Sequence, residues 1–123
     1  RLSFDVSDVL AERACFAVAR SADGVAVGCG ALRPLDPQVA ELKRMCARPG
    51  TAGVGLAVLT YLERQAGELG YREVWLETRR VNLRAVAFYE RNGYRPIPNY
   101  GRYVGRPEAI CLGKQLLGGA SCS

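Results

Sequence analysis

Histidine is absent from the 123 residues, which removes the commonest side-chain acid/base and the commonest metal ligand. A Ser-His-Asp or Cys-His mechanism is therefore excluded. The five cysteines, Cys15, Cys29, Cys46, Cys111 and Cys122, are odd in number and form no C-x-x-C pattern. Neither a disulfide framework nor a zinc site is expected, no residue is assigned to a metal, and buried reduced thiols are the plain reading. Cys46 has no basic partner in view that would make it a nucleophile. Two other stretches could do chemistry. Arg48-Pro49-Gly50-Thr51-Ala52-Gly53-Val54-Gly55 is a glycine-rich break before a long helical pattern. A helix start offers unpaired N–H groups and the positive end of its dipole, and glycine lets an anion reach the backbone, so this break suits a phosphate. It is not a Walker A loop, because no Gly-Lys-Ser/Thr follows. The second stretch runs from Asn82 to Tyr94, where Asn82 can cap a helix while Phe88 and Tyr89 pack. Arg79, Arg80 and Arg84 beside it can meet phosphate or solvent.

The elements that must position these residues are legible from period and punctuation. Phe4 to Glu12 reads as a short helix capped by Asp5 or Ser7. Cys15 to Arg20 and Val25 to Arg33 read as a hairpin around Ser21-Ala22-Asp23-Gly24, since Asp-Gly tolerates positive φ. Gly28 and Gly30 weaken the return strand and suggest a bulge or a close backbone approach. Pro34 to Pro37 is a loop. Val39 to Cys46 is a third strand which, unbroken, carries Glu41, Lys43 and Met45 on one face. Gly55, Val58, Leu59, Leu62, Ala66 and Leu69 recur at helical spacing, giving a helix over roughly 53–69 that Gly70 ends. Glu73 to Glu77 is a fourth strand, Asn82 caps a helix over 83–91, and Gly93 stops it. Tyr94 to Ile97 and Ala109 to Leu116 are two further strands. Antiparallel strands followed by alternating strands and helices predict an α/β arrangement, a mixed sheet with helices against it.

Length predicts one domain over 1–123, and 49% hydrophobic residues exclude a disordered tail. No apolar run approaches the ~20 residues of a membrane span, so no membrane partner is expected. Arg1-Leu2-Ser3-Phe4-Asp5 has no signal-peptide pattern, and a cytoplasmic protein is the expectation. The net charge of +5 favours anionic partners, either nucleic acid or a phosphorylated small molecule. Scattered arginines without an RNA- or DNA-binding pattern argue against nucleic acid. A homodimer stays open.

From about Phe16 to Leu116 the chain resembles the GNAT (GCN5-related N-acetyltransferase) family. Ala40-Glu41-Leu42-Lys43-Arg44-Met45 looks like that family's strand before its acetyl-CoA loop, and Gly53-Val54-Gly55 looks like the end of its R/Q-x-x-G-x-G/A loop. Leu76-Glu77-Thr78, then Asn82, Ala85, Phe88-Tyr89 and Gly93-Tyr94, resembles its N-x-x-A-x-x-x-Y-x-x-x-G-F/Y signature. Asn99-Tyr100-Gly101-x-Tyr103 resembles the tail of its small-molecule members. Two departures stand out. Gly50 occupies the position of the family's Arg or Gln, and the loop before Gly53 is shorter than usual.

The resemblance implies a GNAT-like acyl-CoA N-acyltransferase fold with a reduced N-terminal part. It implies acetyl-CoA as cosubstrate and direct attack by a primary amine of a small molecule or peptide, with no covalent enzyme intermediate. The pyrophosphate would meet backbone N–H groups of Thr51, Ala52, Gly53, Val54 and Gly55. Two parallel strands would splay, and the pantetheine arm would lie between them against Met45, Cys46 and Ala47, with Asn82 on its side. Tyr89 would donate to the departing sulfur, and Glu41 would act as base through water. The rival to Tyr89's role is core packing, and the rival to Glu41's is a carboxylate paired with a neighbouring Arg or Lys. The alternatives to catalysis are an acyl-CoA-binding homologue without turnover and a basic nucleic-acid-binding module.

Overall fold

Cys15, Ala17 and Ala19 are buried, while Phe16, Val18 and Arg20 between them are only partly covered. That period of two is a strand with one face on a core, and it recurs along the chain. The computed structural model describes residues 1–7 and 12–117. Its strands are β1 (Ser3–Ser7), β2 (Cys15–Arg20), β3 (Ala26–Asp36), β4 (Val39–Ala47), β5 (Glu73–Arg79), β6 (Arg95–Ile97) and β7 (Ala109–Gln115). Helix α1 (Val54–Glu68) follows β4, helix α2 (Leu83–Arg91) follows β5, and a 3-10 turn spans Gly101–Tyr103. The strands form one sheet in the order β1-β2-β3-β4-β5-β7-β6. Every neighbouring pair is antiparallel except β4 and β5.

Helix α1 crosses β2, β3 and β4 and buries Val54, Val58, Leu59, Leu62 and Ala66. It comes unusually close, and Gly28 and Gly30 are the reason. A Cβ on Gly28 would stand 2.6 Å from Val54 Cγ1, and one on Gly30 would stand 2.6 Å from Met45 Sδ and 2.7 Å from Leu62 Cδ1. These strand glycines therefore mark the close-approach option rather than a turn. Helix α1 closes with a backbone bond from Tyr71 N–H to Ala66 O around Gly70 at φ 95°, and α2 closes the same way, Tyr94 N–H to Tyr89 O around Gly93. Asn82 caps α2 by accepting from Ala85 N–H at 3.2 Å.

Three expectations are corrected. Phe4 begins no helix. Ser3–Ser7 is an edge strand paired to β2, with Phe4 opposite Ala19 and its ring stacked on Tyr61 of α1 at 4.3 Å. The backbone of β2 requires partners on that edge, and this demand outweighs a local capping signal. Of the expected helix, 8–11 lie outside the described residues. Pro34 to Asp36 is not a loop but continues β3, paired with β4. Proline is tolerated there because β2 begins at Cys15, opposite Leu32, which leaves that flank of β3 without a ladder. Asp36 then accepts from the N–H groups of Gln38 and Val39 and closes the turn.

The third correction bears on the site. Glu41 and Lys43 share a face, but Met45 does not. Pairing skips from Cys29–Cys46 to Ala31–Lys43, so Arg44 and Met45 together face Gly30. Arg44 takes φ 57° in this bulge. The extra residue turns Met45 to the α1 side and leaves Glu41 and Lys43 on the opposite face. The thiols also divide. Cys15 and Cys111 are buried, Cys29 is half-buried and Cys46 is exposed, and all four are free. Cys122 lies outside the described residues.

Candidate active site

Strands β4 and β5 pair at three positions only: Val39–Glu73, Ala40–Val74 and Glu41–Trp75. Beyond them β4 runs on to Ala47 against β3, and β5 runs on to Arg79 against β7. The two parallel strands have thus parted after Glu41, and the inner edge of each carries backbone groups with no ladder partner. Both strands lead to a helix start at the open end of this wedge. Ligands of sheets with parallel strands bind at such carboxyl ends.

At the α1 start, Gly53 sits at φ 76° and the first helical bond runs from Ala57 N–H to Gly53 O. The N–H groups of Val54, Gly55 and Leu56 consequently have no acceptor within the helix. No acidic residue stands in this first turn. Gly50 turns the loop at φ 80°, and a Cβ there or at Gly53 would meet open space. An arginine at position 50 would have room but an unfavourable backbone, which favours glycine there. Gly55 lies under Phe88 of α2, whose ring would be 3.7 Å from a Cβ there. The start of α1 therefore lies against the middle of α2.

Tyr89 is the one buried residue of α2, 8% exposed, with its ring edge-on to Phe88 and Tyr94. Burial pushes its phenol up to about 12. Among the described residues its hydroxyl has no hydrogen-bond partner, yet no fully buried side-chain oxygen is left unpaired. The ring is therefore packed while its hydroxyl reaches accessible space.

Glu41, at the vertex of the wedge, is 4% exposed and is the only buried charged residue among those described. It accepts from Tyr100 Oη at 2.7 Å, pairs with Arg33 Nε at 3.1 Å and has Lys43 Nζ at 3.8 Å. Burial, followed by the hydrogen bond and charge of Glu41, drives the Tyr100 phenol well above its usual range, so it donates at any working pH. Tyr89 belongs to the helix-side core, whereas Glu41 points to the other face. The two candidates flank the wedge from opposite sides.

A family model described as acetyltransferase (GNAT) family matches residues 3–94. This chain belongs to the GNAT family. An uncharacterised N-acetyltransferase of Schizosaccharomyces pombe is 37% identical over 93 residues, covering 67% of this chain and 57% of that relative. The chain spans about half the length of the first curated relatives it matches. A Klebsiella pneumoniae structure provisionally assigned as an acyl-CoA N-acyltransferase superposes with a TM-score of 0.80 at 30% identity, over 85% of this chain and 74% of that one. A GNAT family acetyltransferase from Elizabethkingia anophelis, with acetyl-CoA bound, shares the fold at a TM-score of 0.77. It is 14% identical over 94% of this chain and 98% of that one.

The GNAT wedge gathers most of the residues singled out from sequence. Met45, Cys46 and Ala47 lie on the diverging half of β4, and Thr51 to Gly55 lie at the α1 start. Asn82 stands at the α2 start, exposed, with its carbonyl spent on the cap. Thr51 hydrogen-bonds back to Arg48 O through both its N–H and its hydroxyl, which rigidifies the loop. Sequence reasoning missed Arg33 and Tyr100. Arg33 is the register partner of Glu41, which a continued β3 would have revealed. Tyr100 stands out in sequence only within the Asn99-to-Tyr103 pattern, and its bond to Glu41, 59 residues away, had no local signal. Among the described residues no cluster of His, Cys, Asp or Glu could hold a metal, and no helix is long and apolar enough to cross a membrane.

Proposed function

We propose that this chain is one acyltransferase domain that transfers the acetyl group of acetyl-CoA to a primary amine of a small molecule or peptide. The observation that carries this reading is the β4–β5 wedge, with a helix start at its mouth and Tyr89 and Glu41 on its two faces. Acetyl-CoA would supply the acetyl group as a thioester. Backbone N–H groups from Ala52 to Gly55 would hold its pyrophosphate, with Thr51 bracing the loop because its own N–H is taken by Arg48 O; the fit is supported by the unpaired N–H groups at the helix start, the absence of acidic side chains in its first turn and the room at Gly50 and Gly53. The freed backbone of Met45 to Ala47 would hold the pantetheine arm and the thioester oxygen. Asn82 offers that arm its amide nitrogen, while its oxygen already accepts from the cap.

In the net reaction of a primary ammonium a C–N bond forms, a C–S bond breaks, and two protons leave the nitrogen, one released through the base and one balancing the proton that the sulfur gains. Glu41 takes the proton of the incoming ammonium through water. Tyr89 Oη presents a proton to the sulfur, and a phenol at about 12 is fully protonated at neutral pH. A second reading, acyl-CoA binding without turnover, draws on the three partners that already engage Glu41. Thermal shift with CoA and thiol release over an amine panel separate the two. Ligand at 100 times its Kd should add ~2.7 kcal/mol. No shift at millimolar CoA sinks both readings, and a shift without thiol release leaves the second.

A further inference from the structure

On the sheet face away from the helices, Arg33, Glu41, Lys43, Tyr100, Arg102 and Tyr103 line a cleft of about 460 Å³. Arg102 and Tyr103 also wall an adjoining cleft of about 400 Å³ with Glu77, Arg79 and Arg106. The two form one groove divided by the 3-10 turn, and the first half contains the wedge vertex at Glu41. Five of the chain's 17 cationic side chains line this groove, together with the carboxylates Glu41, Glu77 and Glu108. Its volume is in the range of small-molecule sites.

The charges are segregated. Glu41 is buried at the vertex and Glu77 lies on the same face of the sheet, on β5 two residues beyond Glu41's partner Trp75, while Arg33 and Arg102 stand at the rim. Arg33 approaches Glu41 with Nε at 3.1 Å, and its side chain is 57% exposed, so its guanidinium can also meet a ligand. The Arg102 side chain lies by Tyr103, with its guanidinium 5.4 Å from the ring centroid and 3.5 Å from the hydroxyl, and forms no salt bridge among the described residues. Arg33 and Lys43 share the single carboxylate of Glu41 and Arg102 has no salt bridge among the described residues, so a simple alkylammonium or polyamine entering here would meet an excess of like charge, a repulsion that a concave site strengthens. An acceptor that brings its own negative charge removes this penalty and gains charge-assisted hydrogen bonds, while its amine end reaches the carboxylate at the vertex.

Building on the acetyl-transfer reading, we infer that the acceptor is an amine that also carries an anionic group, a carboxylate or a phosphoryl oxyanion, held by Arg33, Lys43 and Arg102 with its amine toward Glu41. Thiol release from acetyl-CoA is the assay, run on matched acceptors. β-Alanine and 2-aminoethylphosphonate carry the anion, while β-alaninamide, ethanolamine and putrescine do not. Expected is a kcat/KM at least roughly 10-fold higher for the anionic members, the size of one charged hydrogen bond, and higher salt should narrow the gap. Whichever of the two anionic amines leads identifies the oxyanion. Arg102→Ala should shrink the anionic-to-neutral ratio roughly 10- to 100-fold, Arg102→Lys should recover part of it, and Arg64→Ala on the helix side should leave it in place. Neutral amines or putrescine turned over equally well overturn the inference, as does CoA binding with no turnover of either anionic amine. Failure of the acetyl-transfer reading looks different: neither CoA stabilisation nor thiol release with any amine.

Discussion

Tyr89 and Glu41 pose different problems at the scale of single residues. Tyr89→Phe keeps a packed ring and removes a hydroxyl that has no protein partner among the described residues. Melting temperature should therefore hardly move. If the hydroxyl serves the departing sulfur, kcat and kcat/KM should fall together by roughly 10- to 10³-fold while CoA affinity stays put. A folded Tyr89→Phe protein with full turnover removes that role. Glu41→Gln is more disruptive, since it leaves Arg33 and Lys43 without their carboxylate. Both cations reach solvent and Tyr100 can still donate to the amide oxygen, so the stability loss should stay near ~1–3 kcal/mol. Turnover should drop most at lower pH, where more of the acceptor is ammonium. An unchanged pH–rate profile would assign Glu41 to structure alone.

At the scale of elements, the close seating of α1 on the sheet links packing to the site. The Cβ of a Gly28→Ala chain would meet Val54 Cγ1 at 2.6 Å and the backbone oxygen of Cys46 at 3.0 Å. Val54 opens α1, and Cys46 lies on the diverging part of β4. The substitution should cost ~1–3 kcal/mol through overpacking and, because the β4 wall of the wedge and the helix start at its mouth shift, weaken CoA binding. Isothermal titration beside a denaturation curve tests the link, and intact affinity in a destabilised protein would show that the two are separable. Gly67→Ala is the contrast, since a Cβ there meets nothing and helix propensity improves.

The whole molecule has a pH signature. Burial raises the thiols of Cys15 and Cys111 and the phenols of Tyr61, Tyr71, Tyr89, Tyr94 and Tyr100. Each group is neutral when protonated and holds its proton more tightly folded than unfolded. Its contribution is complete below the unfolded pKa and is lost as pH rises toward the folded one. Stability should begin to fall above ~8.5 as the thiols enter and steepen above ~10 with the phenols. For Tyr89, at about 12, the loss amounts to roughly 2–3 kcal/mol. Urea midpoints from pH 7 to 11 measure this, and a flat profile through pH 11 would contradict the burial of these rings.

Much of this protein follows from sequence because its signals are local. Period fixes β2, α1 and α2, glycines 24, 70 and 93 supply the left-handed turns that end elements, and Asn82 caps the helix it precedes. The glycine-rich break and the Asn82-to-Tyr94 pattern mark the two helix starts without coordinates, because unpaired N–H groups there follow from helix geometry. Tertiary structure alone decided the rest. Phe4 joins a strand because β2 offers an unpaired edge, Met45 changes face at the Arg44 bulge, and β4 parts from β5 after three residue pairs. Glu41 becomes a buried three-partner carboxylate only when Tyr100 arrives from the far end of the chain. Each of these outcomes depends on pairing and desolvation between segments distant in sequence, and local periodicity carries no record of them.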